Sequence, residues 1–335
     1  MRTQRRIRVL GAILVAFALL AAACGDDDSG GDTTTTAAEG TTTTAATETT
    51  TTAANETTTT AEATDGPTIT VASFNFPESA ILAEIYAQAL ENAGYPVEKK
   101  LNLGSRELIF PSLENGELDL LPEYLGSALG VGFGVDSDSD SDSVAAALSE
   151  EFKAFDVTVL DYSPGEDKNV FVVTGDTAAA NGLSKVSDLK GVDPVTLGGP
   201  PECEERDTCY LGLVDTYGIT QLGFESLQEG AARIAALKSG EIDVALLFST
   251  QPIIAVEGFV ALEDDMGLIR AENIVPVIRN EVLDAYGAGV SDLLNAISAQ
   301  ITTEALIALN GFVEIDAEDP EDVATVWLQE NGFLG

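Results

Sequence analysis

The feature that most constrains the fold of this sequence is a change of pattern at Pro67. Before it, Thr, Ala and Glu recur with no apolar periodicity, whereas after it short β-branched or apolar runs alternate with stretches of helical period. The run ITVASF predicts a strand. The apolar positions that follow have the spacing of a helix face: Ile81, Leu82, Ile85, Tyr86 and Leu90.

The same alternation continues along the chain. Gly94 and Pro96 end the first helix, VEKKLNL predicts the next strand, SRELIFPSLENGE a helix and LDLLP a further strand. This βαβ repetition predicts an α/β fold with mostly parallel sheets flanked by helices. Ligands of such sheets bind beyond the carboxyl ends of the strands.

The N-terminus has the organisation of an export signal. Residues 1–24 combine a basic start, the apolar stretch VLGAILVAFALL and small residues ending at Cys24. The ending LAAAC resembles a bacterial lipobox, although its Leu stands one position further upstream than usual, so Cys24 is expected to be lipidated. The alternative is an ordinary secretory signal with an incidental Cys. Residues 25–67 are too polar and repetitive to form a core, and predict a flexible stalk.

Charge and composition exclude several functions. Removing residues 1–24 takes away four arginines, so 12 of the 16 basic residues remain against all 56 acidic ones, a net charge of −44. A surface this acidic repels nucleic acid, which is therefore not expected as a partner. The 335 residues include no His, which removes the commonest general base and the usual zinc ligand.

Two long ungapped stretches carry a family resemblance. TITVASFNFPESAILAEIYAQALENAGY and NLGSRELIFPSLENGELDLLPEYLGSAL resemble the first lobe of the osmoprotectant (glycine betaine, choline) binding proteins of ATP-driven importers. The resemblance extends more weakly from about Thr68 to Gly335. It implies the type II periplasmic-binding-protein fold, in which two α/β lobes close on a ligand by a hinge.

The resemblance also implies two crossovers between the lobes, which we place near Asp167 and Ala271. Lobe one is then made of residues 68–167 and 272–335, and lobe two of residues 168–271. The helical C-terminal tail has no partner strands after it, so it is expected to pack back on lobe one.

An aromatic cage is the expected site for a quaternary ammonium, which has no proton to donate and is recognised by ring faces and shape. Tyr124 in PEYLGSAL matches one cage tyrosine of the family. Phe171 and Phe248 stand where the family usually has tyrosines, but each lies in an apolar run where Phe is ordinary core material. The fourth cage position, near Glu272, has no aromatic residue, and this weakens the betaine assignment.

A ligand carboxylate would need hydrogen-bond donors at the cleft. Ser127 matches a small hydroxyl position of the family, and Ser79 stands where a Gln is usual. Asn75 and Phe76 lie on the first strand–helix loop, whose backbone N–H groups point towards an anion.

Two arginines are further candidates for ligand contact. Arg106 opens a predicted helix, and Arg206 lies in the loop PPECEERDTCYLG. The alternative for both is a surface or interlobe ion pair, which is what most arginines form.

Cys203 and Cys209 are the only cysteines left after export, and an oxidising compartment favours a disulfide between them. A zinc site at these two cysteines would need further Cys or His ligands, which the sequence does not offer. The acidic run of residues 136–143 lacks the turn Gly and the terminal Glu of a calcium-binding loop, since Ser141 and Ala147 stand in their places. No P-loop occurs. We therefore predict neither a cofactor nor a metal, and interpret the acidic run as a solvated loop.

The sequence thus predicts a non-enzymatic receptor, anchored outside the cell membrane through a lipid, that binds a quaternary-ammonium solute as a monomer and delivers it to the permease subunits of an ABC importer. The alternatives are a receptor of the same fold for another small polar solute, an enzyme with a carboxylate base in the cleft, and a stalked adhesin or sensor.

Overall fold

In the part of the chain that the structure describes, the strands form two separate sheets of five. The structure is a computed structural model that describes residues 66–135 and 140–335. The first sheet, in spatial order β2-β1-β3-β10-β4, contains β1 (Ile69–Ala72), β2 (Val97–Lys100), β3 (Leu120–Tyr124), β4 (Val157–Val159) and β10 (Ile274–Arg279). The second, in the order β7-β6-β8-β5-β9, contains β5 (Asn169–Val173), β6 (Val195–Gly199), β7 (Leu222–Ser226), β8 (Val244–Phe248) and β9 (Val260–Ala261).

Each sheet has four strands in one direction and one strand reversed. In the first sheet β1 is parallel to β2 and β3, and β10 is antiparallel to β3 and β4. In the second, β6 is parallel to β7 and β8, and β5 is antiparallel to β8 and β9. The reversed strands, β5 and β10, are the first strands after the chain passes from one sheet to the other.

Helices flank both sheets, and we call the part built on each sheet the first or the second lobe. The helices of the first lobe are α1 (Pro77–Asn92), α2 (Arg106–Glu114), α3 (Leu125–Ser127), α4 (Ser141–Phe152), α9 (Asn280–Tyr286), α10 (Ala288–Ser298), α11 (Thr303–Asn310) and α12 (Pro320–Glu330). Those of the second are α5 (Gly175–Asn181), α6 (Tyr210–Asp215), α7 (Ala231–Ser239) and α8 (Ile253–Val256). Single π-helical turns follow α3 and α11, at Ala128–Gly132 and Gly311–Ile315.

Helix α1 shows how the sequence directs this architecture. Pro77 occupies the first turn, where its missing N–H costs nothing, and Glu78 lies beside it near the positive end of the helix dipole. Gly94 ends the segment with φ of 89°, a conformation that glycine adopts without strain. The helix packs its apolar residues into the core of the first lobe, as the 3.6-residue period predicted.

The C-terminal tail packs on α1. Its last helix, α12, buries Val323, Ala324, Trp327 and Leu328 in the first-lobe core. Gln88 of α1 ties the two helices together, since its Nε2 donates to the backbone oxygen of Glu321 at 2.9 Å.

The two segments that connect the lobes pair with each other. Glu166 and Asn273 form an antiparallel bridge, and the backbone N–H of Asp167 donates to the Glu272 oxygen at 3.0 Å. We call this pair of segments the connecting ribbon. The strands on either side of it belong to different sheets; the lobe boundaries placed near Asp167 and Ala271 stay a prediction.

Some predictions fall on residues outside those that the structure describes. These are the export signal, the lipidated Cys24, the stalk up to residue 65 and the first half of the acidic run at residues 136–143. Of that run, Asp140 caps helix α4, and its side chain accepts from the Ser143 N–H at 3.2 Å.

Within residues 66–135 and 140–335, no single helix is long and apolar enough to cross a bilayer; α10 with Thr303–Ile315 meets those criteria only as a pair bent by 83°.

Candidate functional site

A cleft lies between the carboxyl ends of the strands of the two sheets. Strands β1, β3, β6, β7 and β8 end at this cleft, and residues at or just after their ends line it. Its cavity volume is about 80 Å³, and the cleft is partly open to solvent. This is the position at which open α/β sheets bind ligands.

The cleft walls come from both lobes. The first lobe contributes Phe74, Asn75, Phe76, Ser105, Arg106, Tyr124 and Ser127, with Asp167 on the connecting ribbon. The second contributes Asn169, Pro200, Glu202, Arg206, Gln228, Glu229, Arg233, Leu246 and Phe248.

Aromatic rings from both lobes meet in the cleft. Phe76 lies 5.9 Å from Tyr124 and 5.4 Å from Phe248, measured between ring centroids, and it stacks on Phe74 at 5.9 Å. Phe76 and Phe248 are partly exposed, whereas Tyr124 is buried. We call Phe76, Tyr124 and Phe248 the aromatic wall. Ring faces arranged in this way attract a cation that carries no proton to donate.

Tyr124 is held in place from behind. Its hydroxyl donates to Glu78 Oε1 at 2.9 Å, and its backbone N–H donates to Glu123 Oε2 at 2.9 Å. Burial, reinforced by the charge of Glu78, raises the pKa of the Tyr124 hydroxyl well above its usual range. Tyr124 is therefore a neutral donor whose ring orientation is fixed by the chain beneath it.

Carboxyl groups converge on the turn Ser249–Thr250–Gln251 that follows β8. Glu78 accepts from Thr250 Oγ1 at 2.6 Å, and Asp167 accepts from the Thr250 N–H at 3.1 Å. The Gln251 amide donates to Glu229 Oε1 at 2.9 Å and to Glu314 Oε1 at 3.4 Å. Because Glu78 and Glu314 belong to the first lobe, these bonds join the lobes.

Burial shapes the protonation of these groups. It raises the pKa of Glu78, and it raises that of Asp167 further with the help of the Glu78 charge. Burial also raises the pKa of Glu229 to about 8 and of Glu314 to about 7. The base of the cleft therefore carries less negative charge at neutral pH than its composition suggests.

The two predicted arginines both line the cleft, and each is paired with a glutamate. Arg106 is buried, and its Nε and Nη2 donate to Glu123 at 2.9 and 2.7 Å, while its guanidinium lies 4.9 Å from the Phe74 ring centroid. Arg206 of the second lobe donates from Nε and Nη2 to both oxygens of Glu107 in the first lobe, each at 3.0 Å. The ion-pair alternative therefore describes both side chains, and the pair of Arg206 is the interlobe one.

Glu272, at the predicted fourth cage position, is buried and bound to Ser127. Its two oxygens accept from the Ser127 hydroxyl at 2.7 Å and from the Ser127 N–H at 3.0 Å. Burial raises the Glu272 pKa to about 7. Ser127 lines the cleft, but its hydroxyl is already used as a donor to this carboxyl group.

Two of the predicted ligand residues are not brought to the cleft walls. Phe171 is 1% exposed and packs in the core of the second lobe. Ser79 is fully buried, and its hydroxyl accepts from the Phe74 N–H at 3.0 Å. Ser79 therefore shapes the loop that carries Phe74 and Phe76.

A disulfide joins Cys203 and Cys209 in the core of the second lobe. Among the described residues, no group of three or more acidic or cysteine side chains is arranged to hold a metal ion.

The sequence did not predict Glu78, Glu229 or Glu314 as site residues, and it indicated Asp167 only as the place of a crossover between the lobes. Glu78 resembles any acidic residue in a first helical turn, and its partners Thr250 and Asn310 lie 172 and 232 residues away along the chain. No local pattern indicates such contacts.

Comparison with known proteins yields one family. Residues 67–330 match the model of the substrate-binding domain of ABC-type glycine betaine transport systems. The glycine betaine-binding protein YehZ of Escherichia coli is 26% identical over 272 residues, which cover 76% of this chain and 88% of that protein. The carnitine transport binding protein OpuCC of Listeria monocytogenes is 28% identical over 272 residues, with coverage of 80% and 88%.

Solved structures show the same fold. A glycine betaine/carnitine/choline ABC transporter structure matches with a TM-score of 0.64 at 24% identity, covering 79% of this chain and 99% of that one. Lactococcal OpuAC, in its closed form with glycine betaine, matches with a TM-score of 0.61 at 16% identity, covering 80% and 97%. The predicted two-lobed α/β fold is thereby confirmed.

Proposed function

The chain belongs to the family of substrate-binding domains of ABC-type glycine betaine transport systems, and on this premise we propose that its cleft binds a quaternary-ammonium osmoprotectant such as glycine betaine or choline. Members of this family are extracytoplasmic solute-binding proteins that serve a membrane permease. The predicted family resemblance is confirmed.

The observation that carries the proposed solute class is the aromatic wall. Phe76 and Tyr124 of the first lobe and Phe248 of the second present ring surfaces to one cleft. Each ring face in contact with a trimethylammonium group contributes about 0.5 to 2 kcal/mol. The wall is complete only when the lobes approach each other, so it supports capture by closure.

The two guanidinium groups support an orientation for a zwitterionic solute. Arg106 and Arg206 line the cleft from opposite lobes, and their charges are close enough for Arg106 to lower the Arg206 pKa, after the larger effect of burial. A solute carboxylate directed towards them would leave the ammonium group on the aromatic wall. Choline has no carboxylate and would use the wall alone.

We further propose that the protein does no chemistry on its solute, acts as a monomer and is held at the membrane by lipid on Cys24, with residues 25–67 as a stalk. The two lobes, with the boundaries near Asp167 and Ala271, move as units. Replacing Cys24→Ala should release the protein from the membrane fraction into the medium. Retention of this variant at the membrane would contradict the lipid anchor.

The deciding experiment is calorimetric titration of the chain without residues 1–24, using glycine betaine, choline, carnitine and proline betaine. Saturable binding of one solute to one site supports the proposal, and recovery of that solute unchanged supports a binding role without turnover. Absence of heat with all four, together with a folded protein, would exclude this solute class and direct the search to other small polar solutes.

A further inference from the structure

The loop that carries Arg206 is closed on itself by the disulfide. The short helical turn Pro201–Glu205 follows β6 and contains Cys203, and Cys209 lies six residues further on. Arg206 is midway between them. Its N–H donates to the Cys203 oxygen at 3.2 Å, and its own oxygen accepts from the Cys209 N–H at 3.1 Å. Both cysteines therefore hold the Arg206 backbone directly.

The base of this loop is anchored in the second-lobe core. Cys203 and Cys209 are both fully buried there. The packing is close enough to require glycine on two sides: a Cβ on Gly199 would lie 2.8 Å from Cys203 Sγ, and a Cβ on Gly212 would lie 2.1 Å from the Asp207 oxygen. The loop is thus a fixed extension of the second lobe.

The Arg206 side chain crosses from this loop to the other lobe. It forms a two-pronged pair with Glu107, in the first turn of α2. Burial acts to raise the Glu107 pKa, but a bond from Ser105 and the charge of Arg206 outweigh it, so the pKa is lowered. Glu107 is therefore ionised at neutral pH, and it does not itself line the cleft.

We propose that the Cys203–Cys209 disulfide is a positioning element for solute capture, because it holds Arg206 where it bridges to Glu107 and thereby favours the closed cleft. A free loop would lose conformational freedom each time the bridge formed, and that loss would oppose closure. In the cross-linked loop this freedom is already restricted before the lobes meet. The inference rests on the proposed function for its link to solute affinity, but the bridge itself does not.

The test is a double-mutant cycle on the chain without residues 1–24. Its corners are the wild type, Glu107→Gln, the pair Cys203→Ser with Cys209→Ser, and all three changes together. Affinity is measured by calorimetry with the solute that binds the wild type. Glu114→Gln is the matched control, because Glu114 is an exposed residue of the same helix.

We expect Glu107→Gln to weaken solute binding about two- to fivefold, the range for a partly exposed ion pair, and Glu114→Gln to leave it unchanged. Removing the disulfide should cause a comparable loss. The combined variant should bind no more weakly than the disulfide variant, because both changes act through one bridge. Multiplicative losses, or an unchanged affinity in Glu107→Gln, would overturn the proposal.

Small-angle X-ray scattering of the unliganded variants keeps the two proposals separable. Loss of the bridge should increase the radius of gyration in Glu107→Gln and in the disulfide variant, with no change in Glu114→Gln. If the wild type binds none of the solutes, the proposed solute class is wrong, and the scattering comparison still decides the bridge. An unaltered radius of gyration in Glu107→Gln would reject the proposed role of the bridge between Arg206 and Glu107. If the variant with both serines does not fold, the scattering of Glu107→Gln alone still tests this role.

Discussion

The role of Tyr124 can be separated into its ring and its hydroxyl. Tyr124→Phe keeps the ring face towards the cleft but removes the hydrogen bond to Glu78, which measures 2.9 Å in a buried site. Tyr124→Ala removes both. If the ring contacts the ammonium group, the two substitutions should affect binding and stability in different proportions.

The magnitudes follow from these contacts. A buried hydrogen bond to a carboxyl group contributes about 1 to 2 kcal/mol to the free energy of unfolding, so Tyr124→Phe should destabilise the protein by that amount. Its solute affinity should change less than threefold, since Phe presents a similar ring face. Tyr124→Ala should weaken binding by about 1 to 3 kcal/mol, or roughly 5- to 150-fold.

Calorimetric titration gives the affinities, and urea unfolding followed by circular dichroism gives the stabilities and shows that each variant is folded. The matched control is Tyr162→Phe, which removes the bond from a tyrosine hydroxyl to Asp142 on the surface of the same lobe. Tyr162→Phe should change neither the solute affinity nor the free energy of unfolding noticeably. Equal losses of affinity in Tyr124→Phe and Tyr124→Ala would refute the ring contact, and unchanged affinity in both would remove Tyr124 from the site.

Three further outcomes are expected. Glu272 is buried, and its pKa is 4.5 in the unfolded chain but about 7 in the folded protein, so the folded protein loses on the order of 3 kcal/mol of stability as pH rises from 4.5 to 7. In urea unfolding, Glu272→Gln should therefore reduce the difference in stability between pH 5 and pH 8. An unchanged difference would reject the raised pKa of Glu272. Glu123→Gln leaves the buried Arg106 without a counter-charge and should lower the free energy of unfolding by about 3 kcal/mol. Glu150→Gln removes a partner from an exposed ion pair and should lower it by less than about 0.5 kcal/mol, so similar losses in the two variants would contradict this expectation. Phe171→Ala should cost about 3 to 5 kcal/mol of stability without altering affinity, while Phe248→Ala should mainly reduce affinity; the reverse result would place Phe171 in the site.

The local elements were predictable because their signals are local. The period of α1, its end at Gly94 and the strands on either side could be derived from neighbouring residues. The strand LDLLP was expected to end at Pro122, but β3 runs on to Tyr124. Pro122 faces Pro276 across the antiparallel pair, and β3 and β10 stay paired on both sides of these two prolines.

The site could be predicted only in part. Tyr124 and Phe248 are the last residues of β3 and β8, and Phe76 lies on the loop after β1. Tyr124 and Phe248 were proposed from family resemblance, and Phe76 from its place on that loop. The pair between Arg206 and Glu107 joins residues 99 apart in different lobes, so the sequence left open whether the arginine would contact solute or protein. Phe171 could not be placed from the sequence, because a side chain in a strand can point to either face of the sheet. In the structure it packs in the core of the second lobe.

The connecting ribbon has a mechanical consequence. A single linking strand could bend and twist about any axis, but two paired strands resist sliding and twisting, because either motion would break the bond between Asp167 and Glu272. Bending across the ribbon remains the soft direction. We therefore expect the cleft to open by rotation across the ribbon, with Asp167 and Glu272 close to the axis, so that Phe248 of the second lobe moves relative to Phe76 of the first.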